Sequence, residues 1–556
     1  MEARRHYVTV GNRQVHYYRL GQGPVILAFH SSPQTGNFVL PYLKDFANRF
    51  TIIAPDTPGY GGSDPLPPEY PTIEDYADAA VPFADALGLN KVIVYGTHTG
   101  AHIALEYARR HPSRVALCVL DGISFYTDEE RKELLQRYAP AFEPSTDGAH
   151  LAWAWQHTRD QMLFYPWFRW EKDRRLAANL RDADYTHQIV LWKMLPGWGY
   201  RKGYQAAFSH PTLPPLRAVT VPTIVLASAS DILAPMLARV TDVPKNVEVV
   251  AVPADKGPWL AAMNRTLDRA APELPPAPPV PAARTPLPAV ARDYVDGAAG
   301  QVLLRRRPGQ GRPILLLHGE MEASASLVPL MNALAPGRPL IALDLPGVGD
   351  TKALPAGKAD LAAYRAVLEQ VLLACSVDGF DLYARDLAAP LALELARTQA
   401  GRIGTLVLDT PVLPARSEQS DLLAHYAPPL APTTDGAHLQ TAWHRLRDRA
   451  LFWPWYRRER DAVRWVEPAI DATDLQLRLV ETLKNPLSHG DFARAAIAWT
   501  GDVPSGLRGH VLATDKDPAT THARAVLEKA GLGVVAEQPA DVAARAALVT
   551  RLLAAG

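Results

Sequence analysis

The chain has 556 residues, too many for one hydrophobic core, so at least two domains are expected. Its 58 lysines and arginines balance 58 aspartates and glutamates with no long run of one sign, which argues against nucleic acid or an anionic membrane as a partner. Hydrophobic residues make up 48%, enough for sizeable cores, and two cysteines, Cys118 and Cys375, cannot make a disulfide framework and read as buried thiols in a reducing compartment.

No apolar run follows Met1-Glu2-Ala3-Arg4-Arg5-His6, and no stretch reaches the length of a membrane span, so a cytoplasmic protein is expected. Val8-Thr9-Val10, a Gly-Asn turn and Gln14-Val15-His16-Tyr17-Tyr18 predict an antiparallel hairpin. Pro24 to Phe29 predicts a buried strand ending in His30-Ser31-Ser32-Pro33. After a helix, a strand from Thr51 to Pro55 runs into Asp56-Thr57-Pro58-Gly59-Tyr60-Gly61-Gly62-Ser63-Asp64, and Thr72 caps a helix from Ile73 to Leu87. Val92-Ile93-Val94-Tyr95 has the composition of a buried parallel strand. It breaks at Gly96-Thr97-His98-Thr99-Gly100, before a helix from Ala101 to Arg110. Glycines two residues to either side of His98 permit a sharp turn that lifts its side chain above the sheet edge, against the N-terminus of the new helix. A plain strand-to-helix turn would carry the same five residues.

Strand Val115 to Leu120 ends in Asp121-Gly122. From about Phe125 to His210, helical, Trp-rich segments replace strands, before Thr223 to Ala227 and Val247 to Val252 resume the sheet. The alternation predicts an α/β fold with a mostly parallel sheet covered on both faces. A helical cap over about residues 125–212 would roof the C-terminal strand ends, where open sheets bind ligands.

The sequence then repeats itself. Tyr138-Ala139-Pro140 returns as Tyr426-Ala427-Pro428, Thr146-Asp147-Gly148-Ala149-His150-Leu151 as Thr434-Asp435-Gly436-Ala437-His438-Leu439, and Pro166-Trp167 as Pro454-Trp455, each 288 positions on. The same offset carries His30 to His318, Asp56 to Asp344 and Asp121 to Asp409. A constant offset means near-complete duplication. The expected domains are residues 1–270 and 290–556, the second with its own cap over about 413–500. Between them a proline-rich run over 271–289, including Pro286 and Pro288, predicts an extended linker.

With His30 and Pro33, the Asp56 to Asp64 stretch, the Gly96 to Gly100 turn and Asp231 after the seventh strand, each half resembles an α/β-hydrolase-fold enzyme with a helical cap. The Gly-Thr-His-Thr-Gly turn is similar to that of an uncharacterised subgroup of this superfamily. The resemblance implies a nucleophile elbow at His98, an acid at Asp231 with Asp121 as the second possibility, and oxyanion donors from the backbone N–H groups of Ser32 and Thr99. It also implies a histidine after the last strand. That place reads Asp255-Lys256-Gly257, so the standard serine triad is absent by residue identity.

A neutral imidazole at the elbow is a competent general base near pH 7, and the helix dipole is expected to disfavour its charged form. General base ranks above nucleophile. His187, replaced by Leu475 in the second half, is a candidate pocket partner; His30 and Trp167 are candidate substrate contacts. Asp147 reads as a helix cap, and His150, repeated as His438, as structural. In the second half Asp386 takes the elbow between Ala384 and Ala388, with no histidine near Glu537 to Asp541, so this domain is expected to be inert and mainly structural. The expected protein is a hydrolase-like enzyme on a small apolar or aromatic ester, lactone or C–C bond beside a carbonyl. Neither cofactor nor metal is expected, and the halves are expected to pack as an internal pseudo-dimer. The alternatives are a cofactor-free lyase or isomerase with His98 as proton shuttle, and a non-catalytic ligand-binding protein.

Overall fold

The computed structural model describes residues 2–282, 289–297 and 300–554, without the side chains of Trp198 and Glu273. Residues 283–288 of the expected linker, with Pro286 and Pro288, lie outside the described residues. The chain divides into two compact units, one of Met1–Glu143 with Ala152–Leu287 and one of Pro144–Leu151 with Pro288–Gly556. No helix among the described residues is long and apolar enough to cross a membrane.

The first unit is built on β1 (Arg4–Val10), β2 (Arg13–Gly21), β3 (Val25–Phe29), β4 (Thr51–Pro55), β5 (Val92–Thr97), β6 (Val115–Asp121), β7 (Thr223–Ser228) and β8 (Val247–Val252). They lie in the order β1-β2-β4-β3-β5-β6-β7-β8. β1 and β2 form the expected hairpin, closed where Val10 faces Arg13, and β2 is antiparallel to β4. Every pair from β4 to β8 is parallel. β3, β4 and β5 are buried at every residue, as near-continuous apolar runs must be when helices cover both faces.

The second unit repeats the plan with β9 (Ala291–Gly297), β10 (Gly300–Arg307), β11 (Ile314–Leu317), β12 (Leu340–Leu343), β13 (Phe380–Arg385), β14 (Ile403–Asp409), β15 (Gly509–Leu512) and β16 (Gly533–Val535). Their order, β16-β15-β14-β13-β11-β12-β10-β9, is the same connectivity read from the other edge.

The Asp56 to Asp64 stretch is a brace. The buried Asp56 carboxylate accepts from the Gly36 N–H (2.7 Å), the Gly62 N–H (2.8 Å) and His16 Nδ1 (2.8 Å). Burial works against its charge, but the His16 partner and the N–H donors hold its pKa below the usual carboxylate range. Asp344 repeats this, accepting from the N–H groups of Ser324 (2.9 Å) and Asp350 (2.8 Å). Before the undescribed residues, Ala277 donates to the Gly23 carbonyl (2.9 Å), so the chain leaves the first unit pinned beside β3.

Between β6 and β7, helices Asp128–Arg137, Ala149–Leu163, Ala183–Met194 and Arg201–Ser209 replace the strands, as the tryptophan-rich segment predicts. Asp147 Oδ1 accepts from the Ala149 N–H (3.0 Å), a cap at the helix start. His150 accepts from the Ser145 N–H (3.1 Å) just as His438 does from Thr433 (3.1 Å). Lys193 was not foreseen. It is fully buried, bonded to His157 Nδ1 (2.7 Å) and Thr158 Oγ1 (2.6 Å), and burial without a carboxylate pushes its pKa far down.

Candidate active site

β5 ends in a bend whose central residue is His98, with φ 48° and ψ −115°, outside the regions an L-residue prefers. The flanking glycines are sterically required. A Cβ on Gly96 would stand 2.0 Å from the Gly100 carbonyl oxygen, and one on Gly100 would stand 2.2 Å from that of Phe29. The helix Thr99–Arg110 starts directly from the bend, and the His98 N–H donates to the Asp121 carbonyl (3.2 Å), tying the bend to β6.

The side chains converge above this bend. His98 Nε2 lies 2.8 Å from Asp231 Oδ2, while Asp231 Oδ1 accepts from the Leu233 N–H (2.8 Å). The imidazole keeps 35% of its surface open and the carboxylate 18%, so the pair is reachable from outside. Burial disfavours the imidazolium, but the charge and hydrogen bond of Asp231, helped by the charge of Asp121, outweigh it and raise the His98 pKa. The helix-dipole expectation is therefore overturned: the nearby carboxylate wins. The same partnership, against burial, holds Asp231 below the usual carboxylate range.

Asp121 sits one step away. Its Oδ2 accepts from Tyr95 Oη (2.8 Å) and Trp259 Nε1 (3.1 Å). Burial pushes its pKa up to about 6, with the Asp231 charge adding, against the hydrogen bonds of Tyr95 and Trp259 and the His98 charge. The duplicate is held differently. Tyr383 donates to Asp409 (2.5 Å) in the same way, but there Arg545 adds a cation at 3.1 Å. Asp121 has an indole where its copy has a guanidinium.

Gly122 makes the pairing possible. At φ +64°, a Cβ there would stand 2.5 Å from Asp231 Oδ2 and 2.8 Å from His98 Cδ2. Gly122→Ala is expected to part the two side chains, remove most turnover, and cost about 1–2 kcal/mol for the left-handed backbone. Activity assays beside denaturant titration check both effects.

Among the other expected site residues, His30 and Trp167 are engaged with backbone groups, and His187 is buried. His30 uses both ring nitrogens internally, Nδ1 to the Ser31 carbonyl (2.8 Å) and Nε2 accepting from the Thr57 N–H (2.8 Å), so it braces the loop and cannot also hold substrate. His318 does the same. Trp167 Nε1 donates to the Tyr138 carbonyl (2.7 Å), copied by Trp455 onto Tyr426 (2.8 Å), which makes it cap framework. His187 is buried within the helix Ala183–Met194, and the His98–Asp231 pair does not include it. Lys256, in the usual histidine position, is exposed and paired with Asp45 (2.5 Å). The Ser32 and Thr99 residues are buried beside the bend, and no hydrogen bond from either backbone N–H is found among the described residues.

An aromatic group lies within electrostatic reach of the pair. Tyr42, 45% exposed, is tilted against Phe38 (5.6 Å), which meets Trp192 edge-on (6.2 Å). Burial and the charges of Tyr185, Asp121 and Asp231 raise the Tyr42 pKa, with Arg181 opposing. Two groups of three metal-capable side chains occur among the described residues, Glu74, Glu106 and His210, and Asp344, Asp350 and Glu481. Each is already served by a cation, Arg109 on Glu106 (2.7 Å) and Lys484 on Asp350 (2.8 Å), and neither includes the elbow.

A family model described as alpha/beta hydrolase fold matches residues 24–254 and 312–471, more than half of the chain. The chain belongs to this family, twice over. It is 27% identical over 127 residues to the (E)-2-((N-methylformamido)methylene)succinate hydrolase of Acinetobacter baylyi, covering 23% of this chain and 48% of the relative. It is 32% identical over 114 residues to a 2-hydroxy-6-oxononadienedioate/2-hydroxy-6-oxononatrienedioate hydrolase of Pseudomonas putida, covering 20% and 40%. The chain thus spans less than half the length of these curated relatives. A crystal structure of E-2-(acetamidomethylene)succinate hydrolase aligns with 48% of this chain and 100% of its own at 21% identity and a TM-score of 0.38.

Proposed function

We propose that the first unit hydrolyses a small carbonyl compound, an ester, a lactone or a C–C bond beside a carbonyl, with His98 as general base. The observation that carries this reading is the 2.8 Å contact between His98 Nε2 and Asp231 on the strained elbow residue. With its proton on Nε2, directed at Asp231, the neutral imidazole has its lone pair on Nδ1. Nδ1 takes a proton from water as the water oxygen bonds to the substrate carbonyl carbon. The new oxyanion is held by the N–H groups of Ser32 and Thr99. Collapse breaks the bond to the leaving group, which receives the proton from Nδ1. Asp231 orients the ring and stabilises the imidazolium between these steps. The aromatic group of Phe38 and Tyr42 favours an apolar or aromatic substrate body, and the relatives' names, both hydrolases of small compounds, support the reaction class.

Asp121, with its pKa pushed up to about 6 beside His98, favours a second reading, a lyase or isomerase that shuttles a proton between the two groups. Turnover of aryl esters and lactones in ¹⁸O-labelled water separates them. Hydrolysis puts one labelled oxygen into the acid product. Conversion with no label incorporated sinks the hydrolase reading.

A further inference from the structure

The second elbow is built differently from the first. Asp386 keeps the bend, with φ 53°, although alanines flank it and the chain opens into a 3-10 turn, Asp386–Ala388, before its helix. Its carboxylate folds back: Oδ2 accepts from Arg449 (2.5 Å) and from the Glu320 N–H (3.3 Å). Glu320 stands, at the constant offset, where Ser32 stands in the first half, so the elbow carboxylate itself occupies the place an oxyanion would need.

Above it lies a cavity of about 150 Å³, room for several waters or a small organic molecule. Five arginines line it: Arg385, Arg449, Arg464, Arg478 and Arg545. Four have their guanidinium groups engaged by carboxylates at hydrogen-bonding distance, Arg464 by Asp517 (2.7 and 3.0 Å), Arg449 by Asp386, Arg545 by Asp409 (3.1 Å) and Arg478 by Asp474 (2.8 Å). The contacts of Arg385 and Arg478 to the buried Glu322 are looser, at 3.5 and 3.4 Å, beyond the length of a strong charge-assisted bond. Arg478 also pairs with Asp474 (2.8 Å), yet its Nε is buried and meets no hydrogen-bond acceptor among the described residues. Burial opposes the charge on Glu322, but Arg385 and Arg478 hold its pKa down at about 2, so the cluster stays ionised. Two guanidinium groups on the wall of one cavity, held only loosely by the carboxylate between them, can take one more carboxylate.

We propose that the second unit binds a small carboxylic acid in this cavity, its carboxylate bridging Arg385 and Arg478. Asp386 and Glu467 on the same wall disfavour a second negative charge, so the remainder of the ligand is neutral or cationic.

The test uses the full-length chain. Phenylglyoxal labelling, read by peptide mass spectrometry, reports access to Arg385 and Arg478 in the unaltered protein, in the presence of butyrate, γ-aminobutyrate, succinate or uncharged butyramide. Butyrate or γ-aminobutyrate is expected to slow labelling at both arginines in a saturable way, whereas butyramide does not, and succinate protects less. Thermal shift with the same compounds should then weaken about tenfold or more in Arg478→Gln, with circular dichroism confirming that the variant is folded. Equal protection by butyramide, no protection by any of the acids, or unchanged binding in folded Arg478→Gln overturns the assignment.

Discussion

His98→Ala is expected to lower kcat/KM by about 10²–10⁴-fold, the usual contribution of a positioned general base. The loss should fall on the chemical step, because the proposed part of the imidazole is to move a proton. Alanine at this bend still meets an unfavourable backbone, so far-ultraviolet circular dichroism must first show the variant folded. Lys256→Ala is the comparison. Its side chain is 57% exposed and holds only a surface pair with Asp45, worth little. A hydrolase relying on the position after β8 would lose turnover there; this protein is expected to keep it. If Lys256→Ala inactivates and His98→Ala does not, the elbow assignment is wrong.

The second large effect belongs to Asp231→Asn. The amide keeps the size and removes the charge that raises the His98 pKa, so burial alone then acts and pulls that pKa down. In the proposed mechanism the neutral imidazole is the active form, so the acid limb of the kcat/KM profile is expected to begin above the ordinary histidine range in the native protein. It should move to lower pH in Asp231→Asn, while the plateau falls because the amide no longer selects the Nε2–H tautomer. A purely structural aspartate would lower thermal stability and leave the limb in place. The limb position therefore decides between the two roles.

Much of this was written in the sequence. The strands, the cap and the elbow follow from β-branched runs, glycine placement and the constant offset, and Asp231 follows from its place after the seventh strand. What the sequence hid were contacts across the fold. Gly122 is a glycine beside an aspartate in one dimension and the floor under a histidine–carboxylate pair in three. Trp259 reaches Asp121 over 138 positions. His30 stands among the residues that carry the hydrolase resemblance and Trp167 among the cap tryptophans expected to line a pocket, and their hydrogen-bond partners tie both to the framework. The duplication held a signal on this point, since His318 and Trp455 repeat both residues in a half without the elbow histidine. His187 lacks a copy, and its burial within the cap could not be read from its identity alone.

Both bends keep a positive φ, 48° at His98 and 53° at Asp386, though only one has glycine neighbours. Such a conformation costs on the order of 1–3 kcal/mol and persists only where the surroundings over-determine it. The kink is thus a property of the scaffold, kept whether a histidine or an aspartate stands at the bend. A fused copy can therefore exchange the side chain presented there without unfolding, and duplication leaves each half free to vary at that one point while its architecture stays intact.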